Sequence, residues 1–217
     1  MISDRAARCQ VRAPPAAARS AGPADGLDYP GPVPTILGHA VVAVCAGRAL
    51  PPLDPMPRRF WVAVAALAML PDLDVIAFEL GVPYGAPWGH RGASHSLAAA
   101  VVVGLLAALA LRRALPLPWP LAWACLSAAM ASHGALDALT DGGSGVAFLF
   151  PFDDGRYVAP WRPLRVSPIG RHFFGPWGLA TLASEARWLG IPAGILLAVG
   201  VIRRGARTRA DARRAIR

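Results

Sequence analysis

FWVAVAALAMLPDLDVIAFEL, residues 60–80, is long and apolar enough to cross a bilayer, yet it carries Asp72 and Asp74 inside Pro71-Asp72-Leu73-Asp74. A full span takes about 20 residues, with a working range near 17–25. A carboxylate set in such a run is costly unless it is paired. Two carboxylates this close repel each other unless a cation or a proton lies between them. One can bind a metal while the other holds an imidazole in the required tautomer. The structural alternative is a helix broken at Pro71 with both acids solvated. Glu79, about one turn on, is a weaker candidate of the same kind.

Working outward, four more apolar segments appear. Residues 36–50 carry His39 and Arg48, and residues 97–111 are purely apolar and end at Arg112-Arg113. Residues 121–139 stay apolar until His133 and Asp137, and residues 188–202 end at Arg203-Arg204. Several of these runs are short for a span. They fit tilted spans extended by flanking residues, or the buried helices of a compact all-α protein. Hydrophobic residues make up 55% of the 217-residue chain, and mean hydropathy is +0.42. Both exceed the usual values for a soluble domain and favour the membrane. The expected fold is an all-α integral membrane bundle of four to five apolar helices. Residues 140–187, rich in Gly, Pro and aromatics, form a long loop before the last helix. That loop reads either as a lid at the membrane interface or as a plain connection.

Residues 1–32 are rich in Ala, Pro, Gly and Arg and hold no apolar run long enough for a signal peptide. They read as disordered, or as untranslated if initiation is at Val33. Any peptide from residues 1–32 in the native protein rules out the second reading. Residues 33–204 form the membrane domain and residues 205–217 a basic tail. Cys9, Cys45 and Cys125 lie far apart without CxxC spacing and read as small apolar fillers.

Net charge is +9, with 22 basic residues, all of them Arg. A basic balance raises nucleic acid or anionic lipid as partners. The arginines flank apolar segments, however, and no recognition motif is visible, so no nucleic-acid partner is expected. A topology signal explains them at lower cost. If Arg58-Arg59 are cytoplasmic and each segment spans once, 12 arginines fall inside and 6 outside, leaving aside residues 1–32. The same topology brings His39, Asp72, Asp74, His90, His95, His133 and Asp137 to the outer face, and strict alternation keeps them on one face if the topology is inverted.

These residues carry the chemistry. His133 and Asp137 are four apart, so on a helix they share one face and can reach one ion at about 2.0–2.2 Å. His90 and His95 flank Gly92, Ala93 and Ser94, small residues that allow a sharp turn with both imidazoles pointing inward. Ser94 is a candidate cap for the helix that begins near Ser96. Arg91 is a candidate anion fork for a phosphate. His39 follows Gly38 in a short apolar run. His172, in Gly170-Arg171-His172-Phe173, stands apart in the long loop. Each feature has a bland structural reading, but jointly those readings require most of the histidines to be embedded beside acids by accident.

Four motifs in order carry a resemblance: Gly38-His39, Leu70-Pro71-Asp72-Leu73-Asp74, His90-Arg91-Gly92-Ala93-Ser94-His95-Ser96 and Ser132-His133-Gly134-Ala135-Leu136-Asp137. Phe150-Pro151-Phe152 fits the same pattern. Over residues 34–202 the chain resembles the LexA-regulated, membrane-bound metal-dependent hydrolases of bacteria, the YdjM-like family. That resemblance implies an inner-membrane protein with hydrolase activity. A more distant similarity is to zinc-dependent phospholipase C and the related single-strand nucleases, all-α proteins that bind a zinc cluster through His, Asp and HxxxD/E pairs. This chain has only one such pair and too few histidines for a full three-zinc set, so the similarity implies one or two metals.

The expected function is hydrolysis of a phosphoester or lipid-linked substrate by water activated on one or two divalent metals, most simply Zn²⁺. His39, Asp72, His90, His95, His133 and Asp137 are the candidate ligands, and Asp74 and Arg91 the candidate catalytic residues. Asp74 would orient a ligand or act as general base. The alternative is a small transporter that uses the same His/Asp cluster as an ion or proton pathway.

Overall fold

The computed structural model describes residues 35–50, 53, 56–168 and 173–215. Residues 1–32 and His172 lie outside them. Helix α1 spans Ile36–Ala49 and α2 spans Arg58–Met69. A 3-10 stretch, Leu70–Val75, leads into the short α3, Ile76–Glu79. A 3-10 turn at Ala93–His95 precedes α4, Leu97–Leu111, and α5 covers Trp119–Ala138. Helix α6, Pro176–Glu185, passes through a π turn, Ala186–Gly190, into α7, Ile191–Ala215. Among the described residues there is no strand, only isolated bridges pairing Thr140 with Leu164 and Val146 with Tyr157.

Local chemistry sets the helix starts. Thr35 caps α1, its Oγ accepting from the Gly38 amide at 3.2 Å. Ser96, not Ser94, caps α4: its Oγ accepts from Ala99 N at 3.0 Å and donates to the Ala93 carbonyl at 2.8 Å. Helices α2, α5 and α6 open with proline at the cap or in the first turn, where the missing N–H costs no helical bond.

Arg58–Glu79, 22 residues, and Pro176–Ala210, 35 residues, are each long and apolar enough to cross a membrane. Helices α1 and α4 are shorter apolar helices. The sequence pattern put the last helix at residues 188–202. It starts at Pro176 and continues through the arginine-rich stretch to Ala215, so the long loop ends at Gly175. Here helix formation overrides the glycines and aromatics that read as loop, and the closely spaced arginines are good helix formers.

The bundle packs α4 on α5, α2 on α5, and α1 against both α2 and α7. Its centre joins Phe60, Trp61, Val64 and Leu67 of α2 to Leu126, Ala129 and Met130 of α5. Inside hydrocarbon, helices gain little by excluding lipid, and small residues that permit close packing hold them together. Gly104 shows the effect: a Cβ there would lie 2.7 Å from the Ser127 amide nitrogen, so only glycine lets α4 meet α5 at this distance. Val102, Leu106, Leu179, Ile195 and Ile202 face outward, as a lipid-contacting surface requires. From the distant α6, Glu185 accepts from both Thr35 N and Thr35 Oγ at 2.5 Å and so fixes the start of α1.

Each of α1, α2, α4 and α5 reaches the same polar cluster at one end. At the opposite end lie arginines. Arg48 stacks over Trp61 at 4.7 Å, Arg204 donates to the Arg48 carbonyl at 3.1 Å, and Arg59 and Arg113 border one crevice.

Candidate metal centre

Pro71 has no N–H to continue α2, and the chain tightens there into the 3-10 stretch. That turn carries Asp72 into the interior, 5% exposed, and brings Asp74 towards the loop that follows. The end of α2 leaves carbonyls to be satisfied from outside. The Ala68 carbonyl accepts from His133 Nδ1 at 2.7 Å, which fixes the ring of His133 and turns its Nε2 into the cluster.

His133 Nε2 lies 3.2 Å from Asp72 Oδ1 and 3.7 Å from Asp137 Oδ2. His95 Nε2 is 3.2 Å from Asp137 Oδ2 and 4.0 Å from Asp72 Oδ1. Asp72, His95, His133 and Asp137 each offer one ligand atom, all within 4.8 Å of one another, and all four residues are buried. His39 stacks on His133 with ring centroids 3.7 Å apart, and its Nε2 is 3.5 Å from Asp137 Oδ1.

Asp74 is the hub of a second ring of contacts. Its Oδ1 meets His90 Nδ1 at 2.5 Å, and its Oδ2 accepts from Ser94 Oγ at 2.5 Å and from the Arg91 amide at 3.2 Å. His95 Nδ1 is 3.1 Å from the same Oδ2. With both oxygens engaged, Asp74 fixes the orientation of His90 and His95. Asp74, His90 and His95 form a second group of potential ligands adjoining the first.

Arg91 is fully buried and points into the cluster, its Nε 3.1 Å from Asp137 Oδ2 and its Nη1 donating to the Gly142 carbonyl at 3.2 Å. Its backbone is left-handed, with φ at 59°, an uncommon state for a non-glycine residue. The bond to Asp74 and the bond from Ala147 N to the Arg91 carbonyl, 3.0 Å, hold it there. Such strain gathers at functional sites. Gly143, with φ at +82°, lies where any side chain would run into the Arg91 guanidinium.

The donor set fits a divalent cation. Nine nitrogen and oxygen atoms of His39, Asp72, His90, His95, His133 and Asp137 are shut off from solvent without a hydrogen bond. Buried polar atoms normally find partners, and these face only one another, an arrangement that a bound cation would satisfy. Two imidazole nitrogens and two carboxylates are ligands suited to zinc and to neighbouring first-row metals. Burial alone would lower the pKa of His95, but the carboxylates of Asp137 and Asp74 at its two ring nitrogens outweigh it and raise it to about 9. A cation entering the cluster takes the place of that proton.

All eight residues singled out in the sequence, His39, Asp72, Asp74, His90, Arg91, His95, His133 and Asp137, lie in this one network. Glu79 is exposed and outside it. The sequence reading missed three contributors. Arg156 donates to the carbonyls of His90, Gly145, Tyr84 and Ala86, pinning the histidine loop to the long loop. Ser94 serves Asp74 rather than a helix end. The Ala68 carbonyl, which orients His133, belongs to a residue type that carries no chemical signal. For Arg156 the only cue was a lone arginine beside an aromatic in a loop.

The family model for YdjM inner membrane protein matches residues 35–208, which span every one of these motifs. Inner membrane protein YbcI of Escherichia coli (strain K12) is 39% identical over 166 residues, 76% of this chain and 95% of that protein. No solved structure matches the chain. The sequence motifs, the two membrane-length helical units and the buried His/Asp cluster thus meet in one assignment: the chain belongs to the YdjM inner membrane protein family.

Proposed function

We propose that the chain is a multi-pass, membrane-embedded, metal-dependent hydrolase of phosphoesters, with its site near the outer face of the inner membrane. The observation that carries this reading is the set of solvent-shielded ligand atoms that six residues on four separate segments turn toward one another. Asp72, His95, His133 and Asp137 would hold the first ion, zinc by preference, with His39 and His90 beside them. That ion would supply an acidified water and a Lewis acid.

The chain's own residues supply the rest. Asp74 and the Ala68 carbonyl hold His95 and His133 with Nε2 turned to the carboxylates of the cluster, where the ion would sit. The double engagement of Asp74 supports its orienting role over that of general base. Arg91, beside Asp137, balances the negative charge of a phosphoryl group. Hydrolysis adds water to phosphorus and breaks the P–O ester bond, and the alcohol leaves with a proton. Outer placement follows from the arginine bias, since the arginine-rich helix ends lie opposite the cluster. A transport pathway would need polar access from both sides, whereas the space beneath the cluster is walled almost wholly by apolar side chains.

The test is hydrolysis of p-nitrophenyl phosphate and phosphatidic acid by purified zinc-loaded protein in nanodiscs, beside His133→Ala. Zinc-dependent phosphate release lost in the variant supports the reading. Equal release by both proteins, or none on any phosphoester, refutes it.

A further inference from the structure

Between α1, α2 and α5 lies a cavity of about 290 Å³. Apart from Ser132, Cys125 and the Trp61 indole, no side chain on its wall carries a polar atom. On three helices at once its upper end approaches the His/Asp cluster. Ala43 is one turn from His39, Val64 one turn from Ala68, and Ser132 precedes His133. Its lower end reaches Leu50 and Phe60, towards the arginine end of the bundle. Ala124 and Ala128 are exposed on its α5 lip, so the groove opens sideways.

We propose that this groove holds one acyl chain of a lipid substrate and guides its phosphoester head to the cluster above. The inference rests on the hydrolase reading and specifies its substrate class. Three observations select this occupant. The groove belongs to helices of an inner-membrane protein and opens to the side, where lipid tails lie. From Ala124 to Ser132 it runs ~12 Å along α5, a chain-like dimension at ~1.5 Å rise per residue. Its volume sits near the lower edge of small-molecule sites, ~300 Å³, and is too small for a helix about 10 Å across, so a helix of a second copy does not fit. A free phosphate would make no use of it.

The experiment uses the full chain, loaded with Co²⁺ in phosphatidylcholine nanodiscs, and follows the cobalt absorption spectrum. The probes are inorganic phosphate, methyl phosphate and hexyl phosphate. In the wild type, hexyl phosphate should perturb the spectrum at a concentration lower than methyl phosphate by ~10-fold or more, since each buried methylene contributes favourably. Ala128→Phe, which fills the groove, should abolish that advantage and leave cobalt binding and the methyl phosphate response unchanged. Ala124→Leu serves if the first variant fails to bind cobalt. Partition of the probe into the nanodisc is the same for wild type and variant and cancels in the comparison. As a second reading, hexyl phosphate but not inorganic phosphate should shield Cys125 from N-ethylmaleimide in protein with Cys9 and Cys45 changed to Ala. Equal response to methyl and hexyl phosphate, or a hexyl advantage that survives in both filled variants, overturns the groove and leaves the metal site standing. A wild type that binds no cobalt overturns the metal reading, and the groove's role in catalysis with it.

Discussion

Asp74 bridges two candidate metal ligands, His90 and His95, and orients both. It touches His90, Ser94, the Arg91 amide and His95, so its charge works through the rings it orients. Asp74→Asn keeps the shape but loses the charged acceptor. Zinc affinity should fall ~10–100-fold with folding retained, the usual cost of losing a partner behind a ligand. Competition with a zinc indicator measures it, and wild-type affinity in the variant would show that Asp74 orients nothing. Most of this site was legible in the sequence because histidines and carboxylates are conspicuous in apolar runs. What remained hidden was the division of labour. Pro71-Asp72-Leu73-Asp74 says that two acids are close. Only the 3-10 turn shows that Asp72 faces the cluster and Asp74 the histidine loop.

At the scale of elements, the helices were readable wherever an apolar run had a sharp polar end. Arg112-Arg113 marked the end of α4, and Ser96 its start. The last helix was misjudged because Gly175-Pro176-Trp177-Gly178 looks like loop, whereas Pro176 opens α6 and a π turn at Ala186–Gly190 joins it to α7. Nor does sequence show which helices touch. The α4–α5 contact depends on Gly104, one small residue inside a run that reads as purely apolar. Gly104→Leu should force the two helices apart and lower stability by about 1–3 kcal/mol, as overpacking does. Thermal unfolding in detergent should report the loss. An unchanged melting temperature would mean that the close approach is not needed.

For the whole molecule, alternating helix directions put the polar ends of four helices on one side and the arginine-bearing helix ends on the other. By charge bias the arginine end is the proposed cytoplasmic side: 12 arginines would fall there against 6 outside, leaving aside residues 1–32. A fluorescent protein fused after Arg217 should therefore light up in the cytoplasm, and alkaline phosphatase at the same position should be inactive. The reverse pattern would turn the site to the cytoplasmic face. The convergence of distant residues was foreseeable from this alternation alone. The groove was not, because it depends on how α1, α2 and α5 pack side by side.

The account stands or falls on a cation among Asp72, His95, His133 and Asp137. Elemental mass spectrometry of the purified protein after zinc loading and removal of excess metal addresses it directly. The wild type should retain at least one zinc per chain, and His133→Ala and Asp137→Ala far less. Wild type and both variants carrying equally little zinc would contradict it.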